Sequence, residues 1–227
     1  MQLPKLDHRL RTAVPFVRQG AIVADVGTDH AYLPVYLTGS GQAKYAVASD
    51  INVGPIERAA QHVAEYGLTD RVKTVRADGL DGLSAYQPTD IIIFGMGGEL
   101  IARILRDAPW VKNPAIRLIL QPMTHIECLR HYLAEEGFRI VDEVLSRESG
   151  KIYQTVVAEF DGRSYDIDAV TAELGRFAEA KNEDEPLRAP FIMHRIAVLE
   201  AAAAGKEKAG VDTAEERRYI AQLRDCL

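Results

Sequence analysis

The stretch AIVADVGTDHAYLP (21–34) decides the fold that we expect for this chain. Its first residues are almost all small or branched apolar side chains, which is typical of a strand buried on both faces, and Gly27 closes the run. Helical windows separate this run from the next ones, so the pattern predicts a parallel sheet covered by helices on both faces. The further strand-like runs are YAVASD (45–50), RVKTVRAD (71–78), DIIIFGMGG (90–98) and IRLILQP (116–122).

The pattern changes after the fifth strand. Residues 138–160 contain two strand-like runs joined by a short polar turn, which predicts an antiparallel hairpin. A hairpin at the end of a parallel sheet is typical of Rossmann folds of the methyltransferase type, whereas a dinucleotide dehydrogenase more often continues with another βα unit. We therefore expect residues 1–160 to form a Rossmann-like α/β domain of the methyltransferase type.

Residues 161–227 have a different composition, and they are predicted to be helical throughout as a small all-α domain. Apolar residues recur at intervals of 3 and 4 over 167–177, which places them on one helix face. An acidic run at 182–185 ends this first helix. A second helix is expected over 187–204, with Val198 on its buried face, and a third helix follows it.

The composition limits the classes of protein to consider. The chain has 227 residues with 47% hydrophobic and 26% charged residues, which is ordinary for a soluble globular protein. Its two cysteines have no paired spacing and predict neither a disulfide framework nor a zinc site, so we expect no metal. The N-terminus lacks the apolar core of a signal peptide, and no run approaches the roughly 18 apolar residues of a membrane helix. We therefore expect a cytoplasmic protein without a membrane partner, with a monomer favoured.

Polar and glycine residues follow every predicted strand. In an open parallel sheet, ligands bind beyond the carboxyl ends of the strands, at the point where the strand order reverses. The strand ends therefore line one candidate crevice. Its members are Asp25 to Pro34 after the first strand, Asp50-Ile51-Asn52 after the second, Asp78-Gly79 after the third, Gly95-Met96-Gly97-Gly98 after the fourth and Gln121-Pro122 after the fifth.

The first of these loops indicates which ligand the crevice takes. A dinucleotide site needs the pattern G-x-G-x-x-G, because the backbone must approach a pyrophosphate closely. Here only Gly27 is present, and Asp29 occupies the position of the second glycine. A carboxylate at this position would repel a diphosphate, but it would suit a ligand that carries sulfonium and ammonium groups.

Acids after three successive strands predict a positively charged adenosine ligand without phosphates, which matches S-adenosylmethionine. Asp50 lies 23 residues beyond Gly27, close to the interval of about 20 for the acid that binds ribose hydroxyls. Asp78 fits as an acceptor for an adenine amino group. Structural alternatives stay open: Gly27 as a routine turn, Asp50 as a helix cap, and Gly95–Gly98 as a turn. Two adjacent glycines after a buried strand nevertheless favour a close approach of the backbone to a ligand.

Six runs cover nearly the whole predicted sheet, in the order VADVGTDHAYLPVYL, GPIERAAQHV, DGLDGL, IIIFGMGGELIARIL, LILQP and KIYQTVVAEF. GTDHAYLP and GMGG are specific in combination. Together these runs resemble the bacterial tRNA (adenine-N1)-methyltransferase family that modifies adenine 22. The resemblance implies a class I methyltransferase domain, a helical and coiled-coil-like C-terminal domain, S-adenosylmethionine as methyl donor, and tRNA as partner.

The resemblance also assigns functions to the strand ends. The residues implied to bind the donor are Asp25, Gly27, Thr28, Asp29 and His30 in the first loop, Asp50 and Ile51 at the ribose and adenine, Asp78 and Gly79 at the adenine edge, and Gly95, Met96 and Gly97 at the methyl end. Many other adenine methyltransferases have an Asn/Asp-Pro-Pro-Tyr/Phe motif after the fourth strand, and GMGG replaces it here. This departure fits a ring nitrogen as the methylated atom, because a ring nitrogen needs no clamp on an exocyclic amine.

Three residues of the first loop are the candidates for the chemistry. Adenine N1 has a nucleophilic lone pair, so displacement of the sulfonium methyl needs positioning and desolvation rather than a strong base. Asp29 is the first candidate, because a carboxylate would stabilise the positive charge that develops on the ring. His30 and Tyr32 could orient or stack the base. The structural alternative for His30 is a residue at the entry of a helix, and the alternative for Tyr32 is packing in the core.

Contacts to tRNA are expected on local basic patches, since a formal net charge of −6 weighs mildly against a nucleic-acid binder. These contacts would offset the cost of taking an adenine out of its stack, which is on the order of a few kcal/mol. An ordinary solvated surface is the alternative for every candidate. The candidates are Lys5, Arg9, Arg11 and Arg18 in the N-terminal segment, and Arg103 and Arg106 after the GMGG segment.

Rival functions stay open at this point. A methyltransferase that acts on a small molecule or a protein would suit the negative net charge slightly better. A non-catalytic module of the same fold would use the helical tail for a protein partner, but the acids after three strands argue against it. A nicotinamide dehydrogenase ranks last, because the glycines of its motif are missing.

Overall fold

The computed structural model describes residues 3–179 and 185–227 of the chain. The chain divides into two compact units, Met1–Tyr165 and Asp166–Leu227. The first unit thus ends a little beyond residue 160, where the composition changes. Residues 182–184 of the predicted acidic run lie outside the described residues.

The first unit is built on a seven-stranded sheet. The strands are β1 (Ala21–Val26), β2 (Ala43–Asp50), β3 (Val72–Arg76), β4 (Asp90–Met96), β5 (Arg117–Pro122), β6 (Phe138–Glu148) and β7 (Lys151–Phe160). Their order across the sheet is β3-β2-β1-β4-β5-β7-β6. The first five strands pair in parallel, whereas β7 runs antiparallel to both β5 and β6. The predicted parallel sheet with a terminal hairpin is therefore confirmed.

Helices cover both faces of this sheet. They are α1 (His8–Arg11), α2 (Tyr32–Gly39), α3 (Val53–Glu65), α4 (Gly98–Arg106) and α5 (Ile126–Glu135), and short 3-10 turns lie at Val14–Phe16, Leu83–Tyr86 and Pro109–Val111. In β4, Ile91 and Ile93 pack into one core with α4 and α5, while Ile92 and Phe94 pack into the other with α2 and α3. Each face has its own core because successive side chains of a strand point to opposite sides.

The strand order reverses between β1 and β4. The chain passes from β1 outward through β2 to β3 and then returns to β4, on the other side of β1. The carboxyl ends of β1 and β4 therefore border a crevice, which is where open α/β sheets bind their ligands. The loops that the sequence singled out as candidates all lead away from this edge of the sheet.

The second unit consists of α6 (Ala169–Leu174), a 3-10 turn (Gly175–Phe177), α7 (Arg188–Lys208) and α8 (Ala214–Asp225). The Phe177 and Phe191 rings pack edge to face, with centroids 5.8 Å apart. Val198 is 43% exposed, so its predicted burial is wrong, because the buried face of α7 passes through Ile192, Ile196 and Ala203 instead. Within the described parts of the chain, no helix combines the length and hydropathy that a membrane crossing requires.

Candidate donor-binding and catalytic site

A cavity of about 260 Å³ opens at the carboxyl end of β1. The N-terminal segment, the β1–α2 loop and the end of β4 form its walls. The lining residues are Asp7, Arg9, Leu10, Asp25, Val26, Gly27, Thr28, Asp29, His30, Ala31, Tyr32 and Phe94. The structure thus brings together the first-loop residues predicted to bind the donor and all three residues predicted to act in catalysis.

Gly27 has a structural reason to be glycine. Its φ of +80° lies in the left-handed region, and a Cβ at this position would come within 2.4 Å of the Met96 side chain. The backbone N–H groups of Gly27 and Thr28 both donate to the Ser49 carbonyl oxygen, at 2.9 and 2.8 Å. These bonds hold the loop against the end of β2, so the floor of the cavity is rigid.

Asp25 is the buried acid of the cavity. Its side chain is 8% exposed, and burial raises the pKa of its carboxyl from 3.8 to about 6. A hydrogen bond with Thr28 and the nearby positive charge of Arg9 act in the opposite direction. A carboxyl in this state ionises readily when a cationic ligand group comes into contact with it.

Asp29 reaches outward, and it is paired. Its side chain is 68% exposed, yet its Oδ1 accepts a hydrogen bond from Arg58 Nη2 at 2.6 Å, and its Oδ2 lies 3.5 Å from His30 Nε2. Arg58 belongs to α3, which explains why the local sequence of the loop gave no sign of it. A cationic donor would share this carboxylate with the guanidinium.

Four rings form an aromatic row that runs from the cavity onto α3: His30, Tyr32, His62 and Tyr66. Successive ring centroids are 5.4, 4.7 and 4.9 Å apart. His62 Nδ1 lies 2.8 Å from the His30 carbonyl oxygen, so this nitrogen carries the proton and donates it. Tyr32 is 40% exposed, which excludes the alternative that its ring packs in the core.

Asp50 and Ile51 lie at the end of β2. Asp50 Oδ1 accepts hydrogen bonds from the backbone N–H and the side-chain amide of Asn52, at 2.8 and 3.2 Å. Asn52 directly precedes α3, so Asp50 shapes the start of this helix, and neither Asp50 nor Ile51 is among the residues that line the cavity at the end of β1. Ile51 is 50% exposed, and its carbonyl oxygen accepts a hydrogen bond from Arg76 Nε at 2.9 Å. The backbone of Ile51 is held by this bond, and its exposed apolar side chain is suited to cover a flat ring.

A second, larger cavity of about 730 Å³ lies beside the loop that follows β3. Asp78, Gly79 and Arg103 all line it. Gly79 has a φ of +55°, and a Cβ there would lie 3.0 Å from the Ile104 side chain, so the loop approaches α4 closely. The structure therefore places a predicted tRNA-binding arginine next to two predicted adenine contacts.

The GMGG segment has two parts with different functions in the fold. Gly95 is exposed with a φ of +80°, and a Cβ there would meet only Arg9, at 3.7 Å. Gly98 begins α4, and a Cβ there would lie 2.1 Å from the His125 carbonyl oxygen. Gly98 is therefore a glycine for a structural reason, the close packing of the two helix starts. At Gly95 the backbone stays accessible to a ligand. Gly97 and the half-buried Met96 connect the two.

Arg9 lies inside the cavity rather than on the outer surface. Its Nη1 donates to Gln121 Oε1 at 3.2 Å, and its guanidinium lies 5.9 Å from the centre of the Tyr153 ring. Gln121 is fully buried, and its Nε2 donates to Thr155 Oγ1 at 3.0 Å. The terminal hairpin thus contributes to the site, a contribution that the sequence did not indicate because β7 lies far along the chain.

The other predicted tRNA contacts lie apart from one another. Arg18 pairs with the buried Asp90 at the amino end of β4, with Nη2 and Oδ1 2.5 Å apart, and it also donates to the Ala115 carbonyl oxygen. Its place is therefore at the opposite end of the strands from the cavity. Arg106 lies over the Tyr132 ring, 5.1 Å from its centre. Lys5 and Arg11 are exposed beside α1.

Comparisons with known proteins give consistent results. A methyltransferase domain model matches residues 6–156 of the chain. The tRNA (adenine(22)-N(1))-methyltransferase of Bacillus subtilis is 37% identical over 171 residues, which are 75% of this chain and 72% of that protein. Putative tRNA methyltransferases of Mycoplasma genitalium and Mycoplasma pneumoniae are each 28% identical to this chain, over 140 and 137 residues.

Solved structures share the whole architecture. The Bacillus subtilis tRNA m1A22 methyltransferase superposes with a TM-score of 0.79 at 32% identity, covering 97% of this chain and 95% of that one. A Streptococcus pneumoniae protein in complex with S-adenosyl-L-methionine gives a TM-score of 0.84 at 34% identity, over 98% and 100% of the two chains. A Streptococcus agalactiae protein reaches 0.87 at 28% identity, over 100% and 99%.

Proposed function

The chain belongs to the tRNA (adenine(22)-N(1))-methyltransferase family, and on that premise we propose that it transfers the methyl group of S-adenosylmethionine to N1 of adenine 22 in tRNA. The observation that carries this proposal is the acidic cavity at the end of β1, which is built from the same first loop that the family resemblance rests on. Membership of a methyltransferase family excludes the dehydrogenase alternative.

The first loop suits a cationic donor. Asp25 is buried, and the raised pKa of its carboxyl means that a positive ligand group would gain a charge partner where water is scarce. Asp29 offers a second carboxylate at the rim of the same cavity. Asp50 and Ile51 would hold ribose and adenine, and Asp78 and Gly79 would face the adenine edge. We assign donor binding and catalysis to the first unit, because both cavities lie within it.

The residues around the cavity account for the reaction by position and charge. S-adenosylmethionine supplies a methyl group on a sulfonium, and the methyl passes to N1 as the carbon–sulfur bonding pair returns to sulfur. Asp29, at the rim of this cavity, would stabilise the positive charge that develops on the adenine ring. Tyr32, exposed at the cavity, presents a ring on which the flipped adenine can stack, and His30 borders the same space.

Contacts to tRNA fall on the basic residues that have no role inside the fold. Lys5 and Arg11 are exposed beside the cavity wall, and Arg103 lines the larger cavity. Arg9 contacts Gln121 within the site, and Arg18 pairs with Asp90. We therefore propose that neither arginine is a main contact for tRNA phosphates. We further propose that the protein acts as a monomer in the cytoplasm, where tRNA is found.

Methyl transfer from labelled donor tests this function. We expect label to enter unmodified tRNA and not the proteins or small metabolites of the same lysate, because the family acts on tRNA adenine. Calorimetry with S-adenosylmethionine alone provides the control, since it reports donor binding without an acceptor. Donor binding combined with label in protein or in a small molecule would overturn the tRNA assignment.

A further inference from the structure

A cluster of three metal-ligating side chains lies at the start of α4 and α5, outside the residues that line the two cavities. Its members are Glu99, His125 and Cys128. Each offers one ligand atom, and these atoms all lie within 4.8 Å of one another. A carboxylate oxygen, an imidazole nitrogen and a thiol sulfur thus lie close together at one point of the surface.

The fold holds the two helix starts together tightly. The Gly98 backbone N–H donates to the Thr124 carbonyl oxygen at 2.7 Å, and the missing side chain of Gly98 leaves room for the His125 carbonyl group. Glu99 follows Gly98 in the first turn of α4, while Cys128 lies in the first turn of α5. Backbone contacts therefore fix the positions from which the three side chains of the cluster extend.

We propose that Glu99, His125 and Cys128 bind one Zn²⁺ ion. Zinc is the metal that accepts all three of these ligand types, and three protein ligands with an open fourth position are a common zinc arrangement. In a tetrahedral site with bonds of about 2.0–2.3 Å, ligand atoms lie about 3.3–3.7 Å apart. The present spacing, within 4.8 Å, is somewhat wider, and both Glu99 and His125 are exposed side chains that can move to close it.

Glu127 supplies the surroundings that such an ion requires. Its Oε1 lies 3.3 Å from His125 Nδ1 and accepts a hydrogen bond from Cys128 Sγ at 3.7 Å. Its Oε2 is shielded from solvent and has no hydrogen-bond partner among the described residues. A second carboxylate therefore lies directly behind two of the three ligands. It would orient the His125 imidazole through Nδ1 and balance the charge of a divalent cation.

Bound zinc would join the first turns of α4 and α5, which follow β4 and β5. Cys128 would bind as a thiolate, and its proton would pass to solvent. The expectation of no metal, drawn from unpaired cysteine spacing, overlooked this arrangement because Glu99 comes from a different helix. The site stands on its own ligand geometry and does not depend on the proposed methyl transfer.

Cobalt titration of the full-length, tag-free chain tests the site, with Co²⁺ as a spectroscopic probe and Zn²⁺ as competitor. We expect one equivalent of Co²⁺ to give a thiolate-to-cobalt charge-transfer band in the near ultraviolet, which Zn²⁺ then removes. Cys128→Ser should abolish the band. Cys226→Ser is the matched control, because Cys226 is the only other cysteine of the chain, and it should keep the band.

Variants of the other two ligands separate a built site from a lone thiol. His125→Ala and Glu99→Gln should each weaken Co²⁺ binding by more than about tenfold, since even residues behind the ligands typically contribute 10–100-fold. Circular dichroism checks that each variant is folded. No charge-transfer band in the unsubstituted chain, a band that survives Cys128→Ser, or unchanged affinity in both other variants would overturn the proposal.

Discussion

Asp25 links the donor site to the stability of the fold. Burial raises the pKa of its carboxyl from 3.8 to about 6, so the folded protein keeps this proton to a higher pH than the unfolded chain does. The stabilisation from the protonated form is complete below about pH 4 and is lost as the pH rises through about 6, by about 3 kcal/mol in total.

Asp25→Asn should therefore stabilise the protein in the absence of donor. At pH 7 we expect its free energy of unfolding to exceed that of the unsubstituted chain, because the amide removes a buried charge. The difference should vanish by about pH 3, where Asp25 carries a proton in both the folded and the unfolded state. Urea denaturation at the two pH values measures this, and a variant that is less stable at pH 7 would contradict it.

Asp29 should matter for methylation and little for folding. Its ion pair with Arg58 is exposed, and exposed pairs contribute less than about 1 kcal/mol. We expect Asp29→Ala to lower kcat/KM for tRNA by at least about 100-fold, the magnitude typical of lost charge stabilisation at a reacting centre. Asp70→Ala, at an exposed acid away from the cavity, is the control. Near-normal turnover of Asp29→Ala in a folded protein would remove Asp29 from the mechanism.

At the scale of single residues, the part of the site that lies within one continuous stretch of sequence could be predicted. Asp25, Gly27 and Asp29 follow one strand directly, so the sequence alone places them at one strand end. Arg58 and His62 could not be assigned in this way, since their contacts depend on how α3 packs beside the first loop. Both lie in the GPIERAAQHV run that contributes to the family resemblance, which was the available signal.

At the scale of secondary-structure elements, α3 supports the ring that faces the cavity. His62 contacts both Tyr32 and Tyr66 and holds the His30 carbonyl group through its Nδ1 proton. We expect His62→Ala to raise the KM for tRNA several-fold and to leave donor affinity unchanged, because Tyr32 loses its lateral support. Gln61→Ala, on the exposed side of the same helix, should change neither constant. A lower donor affinity with unchanged KM for tRNA would contradict this role.

Two glycines in helices should respond to alanine in opposite directions. Gly98→Ala would place a methyl group 2.1 Å from the His125 carbonyl oxygen, so α4 and α5 must separate, at a cost of about 1–3 kcal/mol. Gly205 lies within α7, has no atom near its missing side chain, and should gain up to about 1 kcal/mol as alanine. Thermal unfolding of both variants measures these changes. A Gly98→Ala protein as stable as the unsubstituted chain would contradict the packing of the two helix starts.

The positions of the strands and helices could be predicted from the periodicity of apolar residues, but the buried face of α7 could not. All seven strands appear where strand-like runs predict them, and the signal is clearest for β1, β4 and β5, which are buried along almost their whole length. The buried face of α7 was assigned wrongly at Val198, since the large apolar residues of this helix are not confined to one side of it. Tertiary packing decides the rotation of such a helix, and a single sequence carries little information about it.

At the scale of the whole molecule, several arginines form ion pairs within their own unit, and this leaves fewer of them to bind a polyanion such as tRNA. The net charge is −6, and several arginines of the second unit are paired within it. Arg195 pairs with Glu173, Arg217 with Glu207, and Arg224 with Glu200. We therefore infer that tRNA is recognised by a few cations around the site and by shape, rather than by a broad basic surface.

The proposed methylation of adenine 22 is tested most directly by locating the methyl group on tRNA after incubation with S-adenosylmethionine. Mass spectrometry of nuclease fragments identifies the nucleotide, and a block to reverse transcription identifies methylation on the base-pairing edge. We expect a single 1-methyladenine at position 22 and no product on the same tRNA with guanine at that position. A methyl group at another nucleotide, or on the exocyclic nitrogen of adenine 22, would contradict it.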